Sequence, residues 1–255
     1  MDESYSFKTI LSGATKFIEK FVKVLEACHK WYQDNEETIS MYLLVFADFG
    51  VWCVATDKLA TKEIVFTDNL TSEFANEIYN SSDVDDLIQK YYFDNAEEKM
   101  QGLIERCKES KLIENYEELY FQILEAYKRA YYHLACVGLF SIIDGVLADT
   151  SNMINSTSFK KRIEVIDSKF SDKIELNDID RKTLCIYNSV NSLKNSIFGD
   201  SRFSDNEPET INRHWIVHGR TRKEYTKYDF LKILLWLEAK IFLSKLREIQ
   251  ENNND

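Results

Sequence analysis

Residues 115–148 read NYEELYFQILEAYKRAYYHLACVGLFSIIDGVLA. Leu119, Ile123, Ala126, Tyr127, Ala130, Leu134, Val137, Phe140 and Ile143 recur at three- and four-residue intervals, the period of a helix with one apolar face. No proline interrupts the stretch, so the pattern predicts a single central helix of about nine turns. Gly138 and Gly145 lie seven apart and fall near one face, where missing side chains let another helix approach closely.

The rest of the chain fits a helical reading. One proline, Pro208, and seven glycines among 255 residues leave little from which to build the tight turns of a multistranded β protein or phosphate-cradling loops. With 44% hydrophobic and 29% charged residues, the composition is that of a folded chain, neither disordered nor fibrous. The expected class is all-α, a helical bundle. Five cysteines, Cys28, Cys53, Cys107, Cys136 and Cys185, are widely spaced and mostly set in apolar stretches. They read as reduced core thiols, with no zinc or redox motif among them. The acidic start, MDESYSF, lacks the order of a signal peptide, and the apolar run from Met41 to Ala55 is broken by Asp48 and Gly50. These features predict a cytoplasmic protein with no membrane span.

Working towards the amino terminus, the pattern predicts an amphipathic helix from Phe7 to Tyr32, ended at Asp34-Asn35. Met41 to Leu59 reads either as a buried helix or as a helix followed by short strands, with a small hairpin over 51–67. Ser81-Ser82-Asp83 resembles a helix cap, with Asp85 and Asp86 suited to the first turn. A further helix is expected over 95–109. Towards the carboxyl terminus, helices are expected from Ser158 to Phe170, from Asn177 or Asp178 to Ile197, from Pro208 to Gly219, and from Lys227 to Ile249, the last of them amphipathic. These divisions give a mostly helical region over 1–114, a helical domain over 115–250 and a disordered tail over 251–255.

The net charge of −11 excludes coating of nucleic acid by bulk attraction. Its distribution is uneven: residues 1–115 carry 12 basic against 22 acidic side chains, whereas 211–247 carry 9 against 3. A polyanion would therefore meet the carboxyl-terminal segment.

That segment contains NRHWIVHG, residues 212–219. On a helix His214 and His218 share a face, about 40° apart. The zincin pattern requires a glutamate after the first histidine, where Trp215 stands here, and no third metal ligand is signalled. No metal and no cofactor is expected. His29 and His133 sit beside aromatics in amphipathic helices and read as packing or surface residues. Ser158 to Lys161 reads as a capped helix rather than a serine–lysine catalytic pair. Asp83, Asp85 and Asp86 lack the glycine and final glutamate of a calcium loop.

Arg213 followed by four residues and then His218, with the polar His214 after the arginine, resembles the signature of the HEPN superfamily (higher eukaryotes and prokaryotes nucleotide-binding domain). Asn212 to Gly219 is similar to the form found in HEPN proteins of bacterial defence and toxin–antitoxin systems. YYHLACVGLFSIIDGVL, residues 131–147, is similar to the earlier core helix of such proteins, with Asp144-Gly145 at the acidic-then-glycine position. The resemblance covers residues 115–250. It implies a metal-independent endoribonuclease, acting as a toxin or in phage defence, with RNA as substrate and an antitoxin or defence partner. It also implies a homodimer with the site at the subunit interface. Arg213, His218 and His214 would be catalytic, Asn212, Asp144 and Tyr225 supporting. Arg220, Arg222, Lys223 and Lys227, with Tyr225 and Tyr228 between them, would contact the RNA backbone. Two alternatives stand beside this reading. The bundle is a catalytically silent interaction or sensing module, or Arg213 and His218 close a helix end, with the arginine paired to a carboxylate such as Asp144.

Overall fold

The computed structural model describes residues 36–151, 161–162, 181–199 and 204–253. It is all-α: among the described residues every regular element is a helix. In order these are α1 (Glu36–Ala60), α2 (Ser72–Asn80), α3 (Val84–Phe93), α4 (Glu98–Lys108), α5 (Lys111–Glu114), α6 (Glu117–Lys128), α7 (Tyr132–Ser151), α8 (Arg181–Ile197), α9 (Arg213–Val217) and α10 (Lys227–Asn253), with a single 3-10 turn at Asn95–Glu97. The helices expected over Phe7 to Tyr32 and Ser158 to Phe170 lie largely outside the described residues, as does the expected start of α8.

Contacts divide the chain into two units, 1–50 and 51–255. Of the first, the structure describes residues 36–50, the opening part of α1. The second unit begins at Val51, so residues 51–114 fold together with the described residues that follow them. Asp85 accepts a hydrogen bond from Tyr228 Oη at 2.8 Å, and Arg106 is paired with Glu238 at 2.6 Å.

The cap expected at Ser81-Ser82-Asp83 is made by Asp83, and a second one stands at Thr71. Asp83 Oδ1 accepts from the Asp86 amide at 3.1 Å to start α3, and Thr71 Oγ1 accepts from the Phe74 amide at 3.2 Å to start α2. Each satisfies a backbone donor that the first helical turn leaves open. Asp85 and Asp86 are engaged by Lys62 and Lys90.

The hairpin expected over 51–67 is replaced by helix and a buried extended segment. α1 continues to Ala60, the chain turns at Glu63 with φ of 60°, and Ile64, Val65, Phe66 and Thr67 are buried. Their apolar run imitates a strand because it fills core, but no second strand faces it among the described residues. The Phe66 amide is satisfied by Ser189 Oγ of α8 at 2.7 Å instead, which removes the need for a ladder partner.

The continuous helix expected over 115–148 is two helices. α6 stops at Lys128, Ala130 takes a left-handed φ of 59°, and α7 starts at Tyr132. The Ala130 amide bonds to Tyr127 O at 2.9 Å and the Tyr131 amide to Ala126 O at 2.8 Å, the paired closure of a Schellman stop. That stop is normally made with glycine, and its absence is why the sequence hides the break. Folding α6 back on α7 is what makes the break favourable. A β-carbon on Gly138 would overlap Ile123, and one on Gly145 would overlap the Tyr116 ring, so both glycines serve the close approach expected of them. Ala130→Gly should raise stability by about 0.5–1 kcal/mol in urea denaturation, because it relieves the left-handed strain and loses no contact that α6 or α7 needs.

The core is centred on α7 and α10. α10 was expected to be amphipathic, but Phe230, Leu231, Ile233, Leu234, Leu235, Trp236, Leu237, Ala239 and Ile241 are all buried. Over this stretch it is enclosed nearly all round by α4, α7 and α8. It also runs on to Asn253, so residues 251–253 are helical rather than a disordered tail. Among the described helices, α7 is long and apolar enough to cross a membrane by length and composition, and half of it is buried inside this fold.

Candidate functional site

The helix expected from Pro208 begins only at Arg213. Residues 206–212 are not helical, and two of them are held by the segment after α9. Glu207 accepts from the Thr221 hydroxyl and, at 3.1 Å, from the Arg222 amide, and Pro208 O accepts from Lys223 Nζ. The true start signal is Asn212, whose Oδ1 takes the amides of His214 and Trp215 at 3.0 and 3.3 Å. Its Nδ2 donates to Ser196 O and Gly199 O, each at 3.1 Å. Asn212 is buried and its four hydrogen bonds all serve the fold. Asn212→Asp keeps the cap but loses the two donors. It should cost about 1–2 kcal/mol, measured by thermal or urea unfolding.

α9 is five residues long and would be marginal alone. Three consecutive residues fasten it to three different elements. The Ile211 amide donates to Glu63 Oε1 at 2.9 Å, Asn212 holds the end of α8, and Arg213 Nη2 pairs with Asp144 Oδ2 of α7. The Asp144 main-chain oxygen also accepts from Arg162 Nη1 at 3.3 Å. At the other end, Gly219 takes φ of 63°, its amide bonding to Ile216 O at 3.1 Å and that of Arg220 to Trp215 O at 2.9 Å. This Schellman closure favours glycine, since any other residue there is strained, and it matches the helix end expected at Gly219.

The frame separates the predicted site residues into two groups. Arg213 turns to α7, its side chain 21% exposed and that of Asp144 28% exposed. His214 and His218 come together, with ring centroids 4.6 Å apart. His218, at the carboxyl-terminal cap, is exposed, and His214 is half-buried. Trp215 and Ile216 are buried in the core and Val217 is half-buried. Among the described residues no group of His, Cys, Asp and Glu is arranged to hold a metal ion.

The basic residues after α9 are not equivalent. Arg220 lies 3.9 Å over the Trp215 ring, a cation–π contact that fixes its guanidinium against the core. Lys227 lies 4.1 Å over Phe93 and 3.3 Å from Glu97 Oε1, so its charge is turned towards the amino-terminal helices. Arg222 and Lys223 are exposed. Tyr225 meets His133 edge to face at 5.3 Å, and burial pushes its phenol up to about 12 despite a hydrogen bond with Thr221 that pulls the other way. It therefore stays a protonated donor at neutral pH.

Two residues that hold the site carry no motif. Glu63 stands far from α9 in sequence, and only the turn after α1 brings it to Ile211. Burial raises its carboxyl above the usual range, opposed by Lys232 at 3.6 Å. Burial also raises Glu207, but the Thr221 hydroxyl, the Arg222 amide and the charges of Lys223 and Arg222 together hold it below the usual range.

No family model, no curated protein and no solved structure matches this chain. Its chemistry is therefore read from its own residues.

Proposed function

We propose that the chain is a metal-independent endoribonuclease of the HEPN type, working inside the cell as a toxin or in defence against phage. The observation that carries the reading is the exposed His218, one ring from His214, on a one-turn helix that opens with Arg213 and is clamped at both ends. An RNA 2′-hydroxyl attacks the adjacent phosphorus and the bond to the 5′-oxygen breaks. One group must remove the hydroxyl proton and another must protonate the leaving oxygen. In this reading His218 acts as the acid to the leaving oxygen, and His214 shares the proton transfer. Arg213 neutralises charge on the phosphorane, with Asp144 holding its guanidinium in place. Arg222 and Lys223 supply backbone contacts.

The five residues from Arg213 to His218 turn the two about 140° apart on a helix, so a second copy facing the first would complete a cleft with its own arginine. The homodimer and a restraining antitoxin or defence partner belong to this proposal. The Arg213–Asp144 pair favours a second reading, in which the arginine is structural and the bundle is a silent interaction module.

The deciding experiment incubates total cellular RNA in EDTA with wild type and with Arg213→Ala/His218→Ala, both checked for folding by circular dichroism. Cleavage by wild type alone supports the ribonuclease, cleavage by neither favours the silent module, and cleavage by both overturns the site.

A further inference from the structure

The corner between α6 and α7 carries a run of exposed residues that the candidate site does not use. Lys128, Arg129, Ala130, Tyr131, His133 and Leu134 are all exposed. Leu134 and Tyr131, at 61% and 59%, are the most exposed large apolar side chains among the described residues. They stand three residues apart at the start of α7, so they lie on one side of its first turn. A single apolar residue on a surface needs no explanation, but here a tyrosine and a leucine sit together beside two cations. The corner is closed by its own backbone. The Tyr131 amide bonds to Ala126 O at 2.8 Å, and Tyr131 O accepts from the Ala135 amide at 3.0 Å.

Two contacts join this corner to the candidate site. Arg213 meets Asp144, and Tyr225 meets His133 at 5.3 Å. His133 and Asp144 are three turns apart, so both contacts fall on one face of α7, about 16 Å from each other. The segment 213–225 therefore runs along that face from α9 towards the corner, bringing the exposed Arg222 and Lys223 with it. Acidic side chains are present too. Glu125 pairs with Lys128 at 3.0 Å, Glu207 accepts from the Arg222 amide, and Glu224 is exposed. The cations at 128, 129, 220, 222 and 223 outnumber them.

We propose that the α6–α7 corner is a subsite for single-stranded RNA, in which Tyr131 stacks on a base with Leu134 beside it, and Lys128 and Arg129 hold the adjoining phosphates. This subsite rests on the ribonuclease reading and gives it a substrate class, an unpaired strand reaching from His218 to Tyr131. Single strands are held by cations that follow the backbone and by aromatic faces that stack bases whatever their sequence. A base can reach such a face only when it is unpaired. A tyrosine with few rotatable bonds on a closed turn gives up little conformational freedom on binding.

The test uses the His218→Ala chain, which the reading expects to leave RNA uncut, and a fluorescein-labelled single strand of about 12 nucleotides. Binding is read by anisotropy in EDTA at several salt concentrations. Adding Tyr131→Ala should weaken binding by about 5- to 100-fold, whereas Tyr131→Phe, which keeps the ring, should stay within about twofold. Arg129→Ala should flatten the slope of log K against log salt by about 0.7. The same strand annealed to its complement should bind without regard to Tyr131→Ala. A strand carrying 4-thiouridine, irradiated with His218→Ala, should cross-link to the peptide that bears Tyr131, which does not depend on how the corner variants fold. Unchanged affinity and slope in the corner variants, with cross-links only elsewhere, would overturn the subsite, and continued cleavage of RNA by wild type in EDTA would then leave the ribonuclease reading standing. A chain that neither binds nor cleaves RNA would overturn both.

Discussion

His218→Ala should lower RNA cleavage by about 10²–10⁴-fold, the range lost when a general acid is removed, while moving the melting temperature by no more than about 2 °C. The two halves of this expectation rest on different observations. The loss follows from the position of His218 at the exposed end of α9 beside His214. The small stability change follows because the helix end is closed by Gly219 and backbone hydrogen bonds, none of which needs the imidazole. Asp144→Asn is the counterpart. It keeps the shape of the side chain but leaves the Arg213 guanidinium without its carboxylate, so it should lower kcat through a misplaced arginine and lower stability as well. Single-turnover cleavage of one defined RNA, read beside a thermal melt, separates the two. Equal losses of activity and stability in His218→Ala would mean that the histidine is structural.

Arg106→Ala should destabilise the fold by about 2–4 kcal/mol, because it strands a carboxylate in the core. Glu238 sits mid-way along α10 with its side chain 8% exposed, against 38% for Arg106, and the exposure of the arginine argues for the lower end of that range. Glu238 Oε1 accepts from Arg106 Nε and from Asn69 Nδ2, each at 2.6 Å. Burial raises the Glu238 carboxyl above its usual value, opposed by Arg106 and by Thr67, with Asp68 adding to the rise. Tyr92 and Cys107 face the same cluster and are themselves pushed up by burial, so neither supplies a charge.

The sign of the pH dependence follows. A carboxyl whose value is raised by folding contributes most below its ordinary value, and that contribution is lost as pH rises through the folded value. The gap between wild type and Arg106→Ala should therefore narrow from pH 7 towards about pH 5, as protonation removes the stranded charge. Adding Glu238→Gln to Arg106→Ala should recover at least half of the loss at neutral pH. Urea titrations of the three variants and wild type at both pH values check this. A gap independent of pH would place the cost in packing of the Arg106 stem rather than in charge.

Some of this was legible in order along the chain. The cap at Asp83 is short-range chemistry: its side chain bonds an amide three residues away, so the residues alone report it, whereas the cap at Asn212 was hidden by Pro208, which offered an earlier start. Gly138 and Gly145 announced a close approach because a missing side chain has a direct steric consequence. The stop at Ala130 was not legible, since alanine gives no signal for a left-handed turn and only packing of α6 on α7 makes it favourable. The apolar run at Ile64 to Phe66 misled because burial on all sides and strand alternation look alike over three residues, and the Ser189 hydroxyl that replaces a ladder lies on a distant helix.

By itself the sequence determined the helical class, the end of α9 at Gly219, and the residue types gathered at 212–219, because these depend on periodicity and on contacts within a few residues. Tertiary structure alone decided that Arg213 meets Asp144, that Glu63 holds Ile211 and that Glu238 is paired across the core. Each of those contacts joins segments remote in the chain, and no local pattern encodes which buried charge will face which, because that is settled by how whole helices pack.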